Sequence, residues 1–401
     1  MLSNRYVRTI ILSGVFLQLG IWVRKFAILL NVTDLISNDS QYVSLISVAE
    51  FAPIFVFAII GGTFADRWRP KRTMVGCDLL SALSVFIVLF ALISGSWYSL
   101  LFGTFVSAVL SQFSQPSAMK LYKQHVPEAQ IQGVMAMHQT LMAVFMVIGP
   151  IIGTFVYQQY GIEVSLIVTG VMFVISGLIL SLLPRDLEKI KATESRDFKK
   201  ELADGLRYVR ANRALRTLGA AFAASGLAAG LVQPLALFIT IENLGQDKLF
   251  LQWLLMAGGA AMFVGGGVVM GMAKKVKPQT LLALGLAVNS LCTVGIGWST
   301  GITLTFIYQI VGGFFYPCIH IGIQTLIMRN TEGAFVGRVG GTITPIFMGM
   351  MVIGMSLSGY LKDALTLFAV YAVSGSLLLI GALLLIPLFQ KNPKVEISSS
   401  H

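Results

Sequence analysis

Hydrophobic residues in this chain occur in long continuous runs and do not alternate with polar positions. A helix needs about 20 apolar residues to cross a bilayer core of about 30 Å. Twelve runs of roughly this length cover residues 7–32, 42–65, 73–94, 98–121, 133–158, 162–183, 215–240, 250–273, 279–298, 302–328, 339–360 and 364–388. The pattern predicts an all-α membrane protein with 12 transmembrane helices.

The longest connection between runs divides the chain into six predicted helices and six. The predicted parts are an N-terminal six-helix bundle over 1–184, a linker over 185–214, a C-terminal six-helix bundle over 215–390 and a cytoplasmic tail over 391–401. The linker has apolar residues at helical spacing, namely Phe198, Leu202, Leu206 and Val209. This spacing predicts an amphipathic helix along the cytoplasmic surface, with Ser195 or Asp197 as its N-cap. The alternative is a solvated linker.

Composition supports membrane insertion. Hydrophobic residues make up 56% of the 401 and charged residues only 12%, about half the charged share of an ordinary soluble chain. The 40 glycines fit helices that approach one another closely in lipid. Three cysteines fall singly in apolar runs, so we expect neither disulfides nor a bound metal, and nothing indicates a cofactor. The first apolar run has no cleavage pattern of small residues, so we expect no cleavable signal peptide.

The net charge of +11 has a topological explanation. Nearly all lysines and arginines lie in loops of one parity, whereas the loops of the other parity carry Lys248 and Lys362. Cytoplasmic loops of membrane proteins carry the excess of basic residues. Both termini are therefore predicted to be cytoplasmic, and the charge gives no reason to expect a nucleic-acid partner.

One cationic loop carries a recognisable motif. The run Gly62-Thr-Phe-Ala-Asp66-Arg67-Trp-Arg69-Pro-Lys71-Arg72 joins the second and third predicted helices. It resembles motif A of the major facilitator superfamily, G-x3-D-[RK]-x-G-x-[RK]-[RK], with Arg69 in place of the second glycine. The gating residues predicted from this motif and from the start of the third helix are Gly62, Asp66, Arg67, Arg69, Lys71, Arg72 and Asp78.

A second motif lies in the fifth predicted helix. The run Gly149-Pro150-Ile-Ile-Gly153 is similar to motif C, the GP-x-x-G signature of the antiporter branch. Proline removes a backbone hydrogen bond and bends a helix, while glycines flatten one face. Gly149, Pro150 and Gly153 are therefore predicted to serve conformational change. The glycines of the eighth helix, Gly258 to Gly267, are the expected partner surface.

Further short segments resemble bacterial exporters that include macrolide efflux proteins and the enterobactin exporter. They are residues 19–24, 49–53, 115–116 and 202–208. The resemblance covers essentially the whole chain and implies two pseudo-symmetric six-helix bundles. An echo of motif A after the eighth helix, residues 267–278, fits such a duplication.

Motif A has two possible roles. The resemblance implies that the second helix packs against the eleventh, whose cytoplasmic end begins near residues 340–342. A carboxylate is favoured at a helix N-terminus, so Asp66 could latch the bundles together on the inner side while the outer side is open. The alternative is that the loop only sets topology, but topology needs no aspartate.

The predicted helices also contain charges at mid-membrane depth. Arg24 and Glu50 each lie about 15 residues from the cytoplasmic end of their helix, roughly 23 Å along its axis. Lys25 points about 100° away from Arg24. Ionisable residues within a membrane are functional by default, so Glu50 is predicted to bind the coupling proton with Arg24 or Lys25 as counter-ion. The alternative is a permanent structural ion pair.

The predicted function is secondary export of an amphiphilic small molecule, resembling a drug or siderophore, by proton antiport with alternating access. Two bases in the cavity wall favour a neutral or anionic substrate over organic cations. A lipid or metabolite carrier working by uniport or import is the alternative. A sensor or enzyme has less support, because no catalytic motif is apparent. We expect a multi-pass monomer in the plasma membrane.

Overall fold

The computed structural model describes residues 4–35, 39–184, 198–272, 275–332 and 335–386. These residues form helices and no strands. The helices are α1 (Arg5–Leu35), α2 (Ser40–Arg67), α3 (Pro70–Ile93), α4 (Ser99–His125), α5 (Glu128–Ser181), α6 (Phe198–Ala211), α7 (Arg213–Val232), α8 (Ala236–Phe238), α9 (Leu251–Met272), α10 (Pro278–Trp298), α11 (Ile302–Arg329), α12 (Val336–Ala364) and α13 (Leu367–Leu384). A π-helical turn, Ile239–Asn243, and a 3-10 turn, Lys248–Phe250, connect α8 to α9.

Within the described residues, 10 helices are long and apolar enough to cross a membrane. One of them, residues 130–181 of α5, covers two predicted spans and breaks at Gly161, whose φ of 75° and ψ of −173° suit glycine alone. The predicted span over 98–121 corresponds to α4, which is not among the ten. Its glutamines, Gln112 and Gln115, and its hydroxyl residues lower its hydropathy. The count of twelve therefore stays a prediction.

The helices pack in two sets with the same pattern. In the first set, α1 packs on α5, α2 on α4, and α3 on both α4 and α5. The second set repeats these contacts, with α7 on α12, α9 on α11, and α10 on both α11 and α13. We call the two sets the first half (α1 to α5) and the second half (α7 to α13). The repeated pattern agrees with the predicted pair of pseudo-symmetric bundles.

Among the described residues, the halves pack on each other mainly through α2 with α12 and α5 with α9. Both were implied by the resemblance, and both are present. We call the end of the molecule where α1 finishes and α2 begins the Leu35 end, and the opposite end the Arg5 end. In the predicted topology the Leu35 end faces outward and the Arg5 end faces the cytoplasm.

The predicted amphipathic helix is present as α6. Val209 is buried in the hydrophobic core of the second half. The Tyr208 ring stacks on Phe335 with centroids 4.6 Å apart, and its hydroxyl accepts a hydrogen bond from the Glu332 backbone N–H. These contacts attach the C-terminal part of α6 to the second half at the Arg5 end. The position of α6 along the cytoplasmic surface stays a prediction. Ser195 and Asp197 lie outside the described residues.

Glycines allow several helices to touch backbone to backbone. A Cβ added at Gly265 would collide with the carbonyl oxygen of Phe314 on α11, whereas a Cβ at Gly267 would meet nothing within 4 Å. Lipid supplies no hydrophobic drive between helices, so close approach of this kind stabilises their packing.

We expect Gly265→Ala to lower the thermal stability of the purified protein. Overpacking against a backbone atom costs about 1–3 kcal/mol, more than the helix propensity gained by alanine. Gly267→Ala is the matched control on the same helix, and it should keep or raise stability. Unfolding curves from fluorescence-detected size exclusion would measure both. Equal midpoints for the two variants would contradict the close α9–α11 contact.

Candidate functional site

An ion pair joins α1 to α2 in the first half. The Lys25 Nζ lies 3.0 Å from Glu50 Oε1, and the two side chains are 32% and 25% exposed. Lys25 also lies 5.6 Å from the centre of the Trp22 ring and 5.7 Å from that of Phe51. Phe51 packs against the core of the second half. The pair therefore sits where the two halves meet, and Lys25 is the base that contacts Glu50.

Arg24 occupies a different environment one residue away. It is 8% exposed, and its guanidinium lies 5.7 Å from the centre of the Phe173 ring. Its Nη1 has no hydrogen-bond partner among the described residues. Arg24, Lys25, Glu50 and Thr104 line one small cavity, so two bases and one acid lie close together, with a formal charge of about +1.

A larger cavity extends from this cluster into the first half. Its volume is about 220 Å³, and its lining residues lie between Ile10 and Leu180. Its wall is largely apolar, but α4 contributes a polar stripe of Ser107, Ser111 and Ser114. The spacing of three and four residues places these hydroxyls on one face of α4. Arg24 and Glu50 lie at one end of the cavity, and Asp78 lines it closer to the Arg5 end.

Asp78 faces the interior of the first half. It is 3% exposed, and its Oδ2 accepts a hydrogen bond of 2.6 Å from Ser176 Oγ on α5. The sequence grouped Asp78 with the motif A loop as a gating residue. The structure places it between α3 and α5 in the wall of the cavity.

Motif A forms the short connection between α2 and α3. Arg69, at the position of the usual second glycine, has φ −74° and ψ 114°, an extended conformation open to any residue. Lys71 Nζ donates to the carbonyl of Leu183 at the end of α5. Arg72 is exposed. The side chains of residues 58–67 lie outside the described part, so the predicted roles of Gly62, Asp66 and Arg67 remain predictions.

Motif C packs within the first half. A Cβ at Gly149 would collide with the Trp22 ring, and one at Gly153 would lie 2.6 Å from the Trp22 carbonyl oxygen. The expectation that these two glycines face α9 is therefore wrong: they face α1. The neighbouring Pro150 is buried in α5.

A different glycine, Gly259 of α9, lies at the α5–α9 interface. A Cβ at Gly259 would lie 3.1 Å from the Met146 carbonyl oxygen. Sequence shows that a helix has a flat face, but the partner of that face depends on how the helix is rotated in the bundle. Motif C consequently holds α1, the helix that carries Arg24 and Lys25.

Polar contacts close the halves together at the Leu35 end. Lys248 of the second half forms an ion pair with Asp34 and donates to the Leu30 carbonyl over 3.2 Å. Tyr157 on α5 donates to Asp34 over 3.0 Å. On the α2–α12 side, Asp363 accepts hydrogen bonds from Ser40 at 2.6 Å and from Gln41 at 3.0 Å, and the Ser44 and Ser358 hydroxyls lie 2.8 Å apart.

Sequence reasoning missed both the closure at the Leu35 end and the hydroxyl stripe. The stripe had a signal, because serines three and four residues apart are unusual in an otherwise apolar helix. The closing residues had none, since they come from helix ends far apart in the chain. Among the described residues, no group of three metal-ligating side chains occurs, and the free cysteines are Cys77, Cys292 and Cys318.

Comparisons with known proteins agree with this architecture. The sequence model of the Major Facilitator Superfamily matches residues 10–349 and 239–400. The uncharacterised MFS-type transporter YkuC of Bacillus subtilis is 25% identical over 359 residues, 86% of this chain and 83% of that protein. Macrolide efflux protein A of Streptococcus pyogenes is 21% identical over 369 residues, 89% of each chain. The multidrug efflux pump Tap of Mycolicibacterium fortuitum is 26% identical over 353 residues, 84% of this chain and 85% of that protein.

Solved structures share the fold. A point mutant of the nucleoside transporter NupG superimposes with a TM-score of 0.77 at 12% identity. The alignment covers 96% of this chain and all of the other. At that identity the likeness concerns the fold alone. It extends over both halves and the interfaces between them.

Proposed function

The chain belongs to the Major Facilitator Superfamily, and we propose that it is a proton-driven exporter of amphiphilic small molecules. Its relatives include pumps named for macrolide and multidrug efflux. The observation that carries the proposal is the Lys25–Glu50 pair beside buried Arg24, where the two halves meet. Because an ionisable group within the membrane is costly, such a group is by default a functional one.

In the proposed cycle, Glu50 takes a proton from the outer side and loses its attraction to Lys25. The freed ammonium and the neutral carboxyl no longer hold α1 to α2. This changes the surface that α2 presents to the second half at Phe51, and the halves rearrange. Release of the proton on the inner side restores the pair. A residue pair that alternates between bonded and separated states in this way couples proton movement to a change of conformation.

The contacts at the Leu35 end support alternating access. If the basic loops face the cytoplasm, as the positive-inside rule requires, this end is the outer one. Ion pairs and hydrogen bonds then close the outer side, as expected for a state that opens inward. The outward-open state must break these contacts, and a latch at the Arg5 end would compensate for them. We propose Asp66 of motif A as that latch.

The charges near Glu50 also bear on the substrate. Two bases against one acid give the site a positive surplus, which disfavours organic cations by repulsion. We therefore propose a neutral or anionic amphiphile. Thermal stabilisation of the purified protein by neutral, anionic and cationic amphiphiles of matched size tests this. Stronger stabilisation by the cationic series would contradict the proposed class.

Transport itself is tested in proteoliposomes with the compound that stabilises best. The internal pH is set below or above the external pH, and flux is followed in both directions. Antiport requires flux to reverse when the gradient reverses. Flux that ignores the gradient would favour the uniport alternative, and substrate moving with the proton would favour an importer.

We expect Asp66→Asn to open the Arg5 end more often. A carboxylate near a helix N-terminus contributes about 0.3–1 kcal/mol, which corresponds to a two- to fivefold change in population at about 1.4 kcal/mol per tenfold. Alkylation of single cysteines introduced at the Arg5 ends of α2 and α12 would measure it, in a background lacking the three native cysteines. Asp66→Glu keeps the charge and should behave as wild type. Unchanged alkylation in Asp66→Asn would leave the loop with a topological role only.

A further inference from the structure

The cavity in the first half has a carboxylate towards each end. Glu50 lies at the Arg24 end, and Asp78 lies nearer the Arg5 end. We propose that Asp78 is a second proton-binding carboxylate, linked to Glu50 by a chain of water molecules in this cavity. The inference rests on the proposed role of Glu50 and adds a route for its proton.

The dimensions of the cavity suit such a chain. Glu50 lies 17 residues before the end of α2 at Arg67, and Asp78 lies 8 residues after the start of α3 at Pro70. At 1.5 Å per residue, their depths differ by roughly 14 Å. About five water molecules at hydrogen-bond spacing span that distance. The volume of about 220 Å³ has room for roughly seven at about 30 Å³ each.

The wall offers the hydrogen bonds that water requires. Arg24 Nη1 and Ser107 Oγ are both buried without a hydrogen-bond partner among the described residues, and both residues line the cavity. Buried polar groups of this kind are ordinarily satisfied by ordered water. Ser111 and Ser114 continue the polar stripe along α4 from Ser107. These polar groups therefore form a path along α4, and most of the remaining wall area is apolar.

Asp78 is suited to hold a proton and to give it up. The other titratable side chains that line the cavity are Arg24, Glu50, Cys77 and His138; α4 contributes serines and a glutamine. Among the described residues Asp78 makes no ion pair, and its hydrogen-bond partner is Ser176. A hydroxyl can donate or accept, so the Ser176 contact survives when the carboxylate becomes a carboxylic acid. Asp78 can thus change charge without losing its partner.

The transfer is balanced at each end. The Glu50 carboxyl loses a proton to the nearest water and becomes a carboxylate that again attracts Lys25. Each water in the chain accepts one proton and passes one on. The last water gives its proton to the Asp78 carboxylate, which becomes neutral. The lining residues all belong to the first half, so this route runs from Glu50, where the halves meet, into the first half.

Infrared difference spectra of the purified protein, recorded between acid and alkaline pH, test the proposal without a substrate. Many of the 18 Asp and Glu side chains protonate on acidification, so we expect a broad carboxylic C=O absorption in which one component is lost in Asp78→Asn and another in Glu50→Gln. Ser176→Ala removes the hydrogen bond but keeps the carboxyl group, so it should shift the Asp78 band without deleting it. Asp78→Glu should keep a band. An unchanged spectrum in Asp78→Asn would overturn the proposal.

The water chain is tested by the rate at which the Asp78 band shifts when the buffer is changed to D₂O. Ser111→Leu fills the cavity between the two carboxylates and alters no titratable group, so the shift should slow. Exchange as fast as in wild type would overturn the route. A failure of the proton-antiport function would give a different result. The Glu50→Gln protein would then keep the carboxylic absorption of the wild type and would transport substrate as the wild type does.

Discussion

Glu50→Gln is expected to abolish accumulation of substrate against its gradient in proteoliposomes. Glutamine keeps the size and a carbonyl oxygen near Lys25 but cannot exchange a proton. With one proton per cycle, a gradient of one pH unit can support about tenfold accumulation, since about 1.4 kcal/mol corresponds to a factor of ten. The variant should reach equal concentrations on both sides. Initial and final substrate distributions across an imposed pH gradient give the measurement.

The second half provides a matched control. Glu242 also forms an ion pair with a lysine, at 2.7 Å from Lys362, but it lies at the Leu35 end and its side chain is 43% exposed. Glu242→Gln removes an acid from a similar pair without touching the site between the halves. It should keep most of the accumulation, because exposed ion pairs contribute little. If the Glu50→Gln protein accumulated substrate to the same level as the Glu242→Gln protein, Glu50 would be ruled out as the coupling site.

The sequence predicted those features of the fold that depend on the pattern of apolar residues over long stretches of the chain. Apolar runs gave the spanning helices, because a bilayer imposes their length. The spacing of Leu206 and Val209 gave α6, because one face of that helix had to be buried. The order of the helices and the resemblance around motif A together gave the α2–α12 and α5–α9 interfaces. These inferences require no knowledge of how any helix is rotated.

Contacts that depend on how each helix is rotated about its axis could not be predicted from the sequence. Arg24 and Lys25 share a depth but point about 100° apart, so the choice of Glu50's partner depended on the orientation of α1 against α2. Gly149 and Gly153 showed a flat face, yet only the structure shows that Trp22 of α1 covers it. Asp34 and Lys248 meet across a separation of more than two hundred positions. The pattern of residues within a single helix does not indicate such a contact.

Arg24→Met is expected to raise the stability of the protein while it impairs transport. The buried guanidinium is costly because its Nη1 has no hydrogen-bond partner among the described residues, and methionine fills a similar volume beside Phe173. Replacing a complete buried ion pair or triad by apolar side chains is often neutral or stabilising by about 1–4 kcal/mol. Arg24→Met resembles this case because the Lys25–Glu50 pair keeps both of its members. Thermal unfolding in detergent measures stability, and the same sample in proteoliposomes measures coupled flux.

The Lys25→Met variant distinguishes the role of Lys25 from that of Arg24. It leaves Glu50 without the partner at 3.0 Å, so we expect lower stability, because removing one member of a largely buried pair leaves the other uncompensated.

Arg24→Lys keeps the positive charge and should stay close to wild type in flux. The reason for impaired transport in Arg24→Met is electrostatic: the variant lacks the second positive charge that shares a cavity with the Lys25–Glu50 pair. An Arg24→Met protein that is less stable than wild type would show instead that the guanidinium is a structural element of the first half.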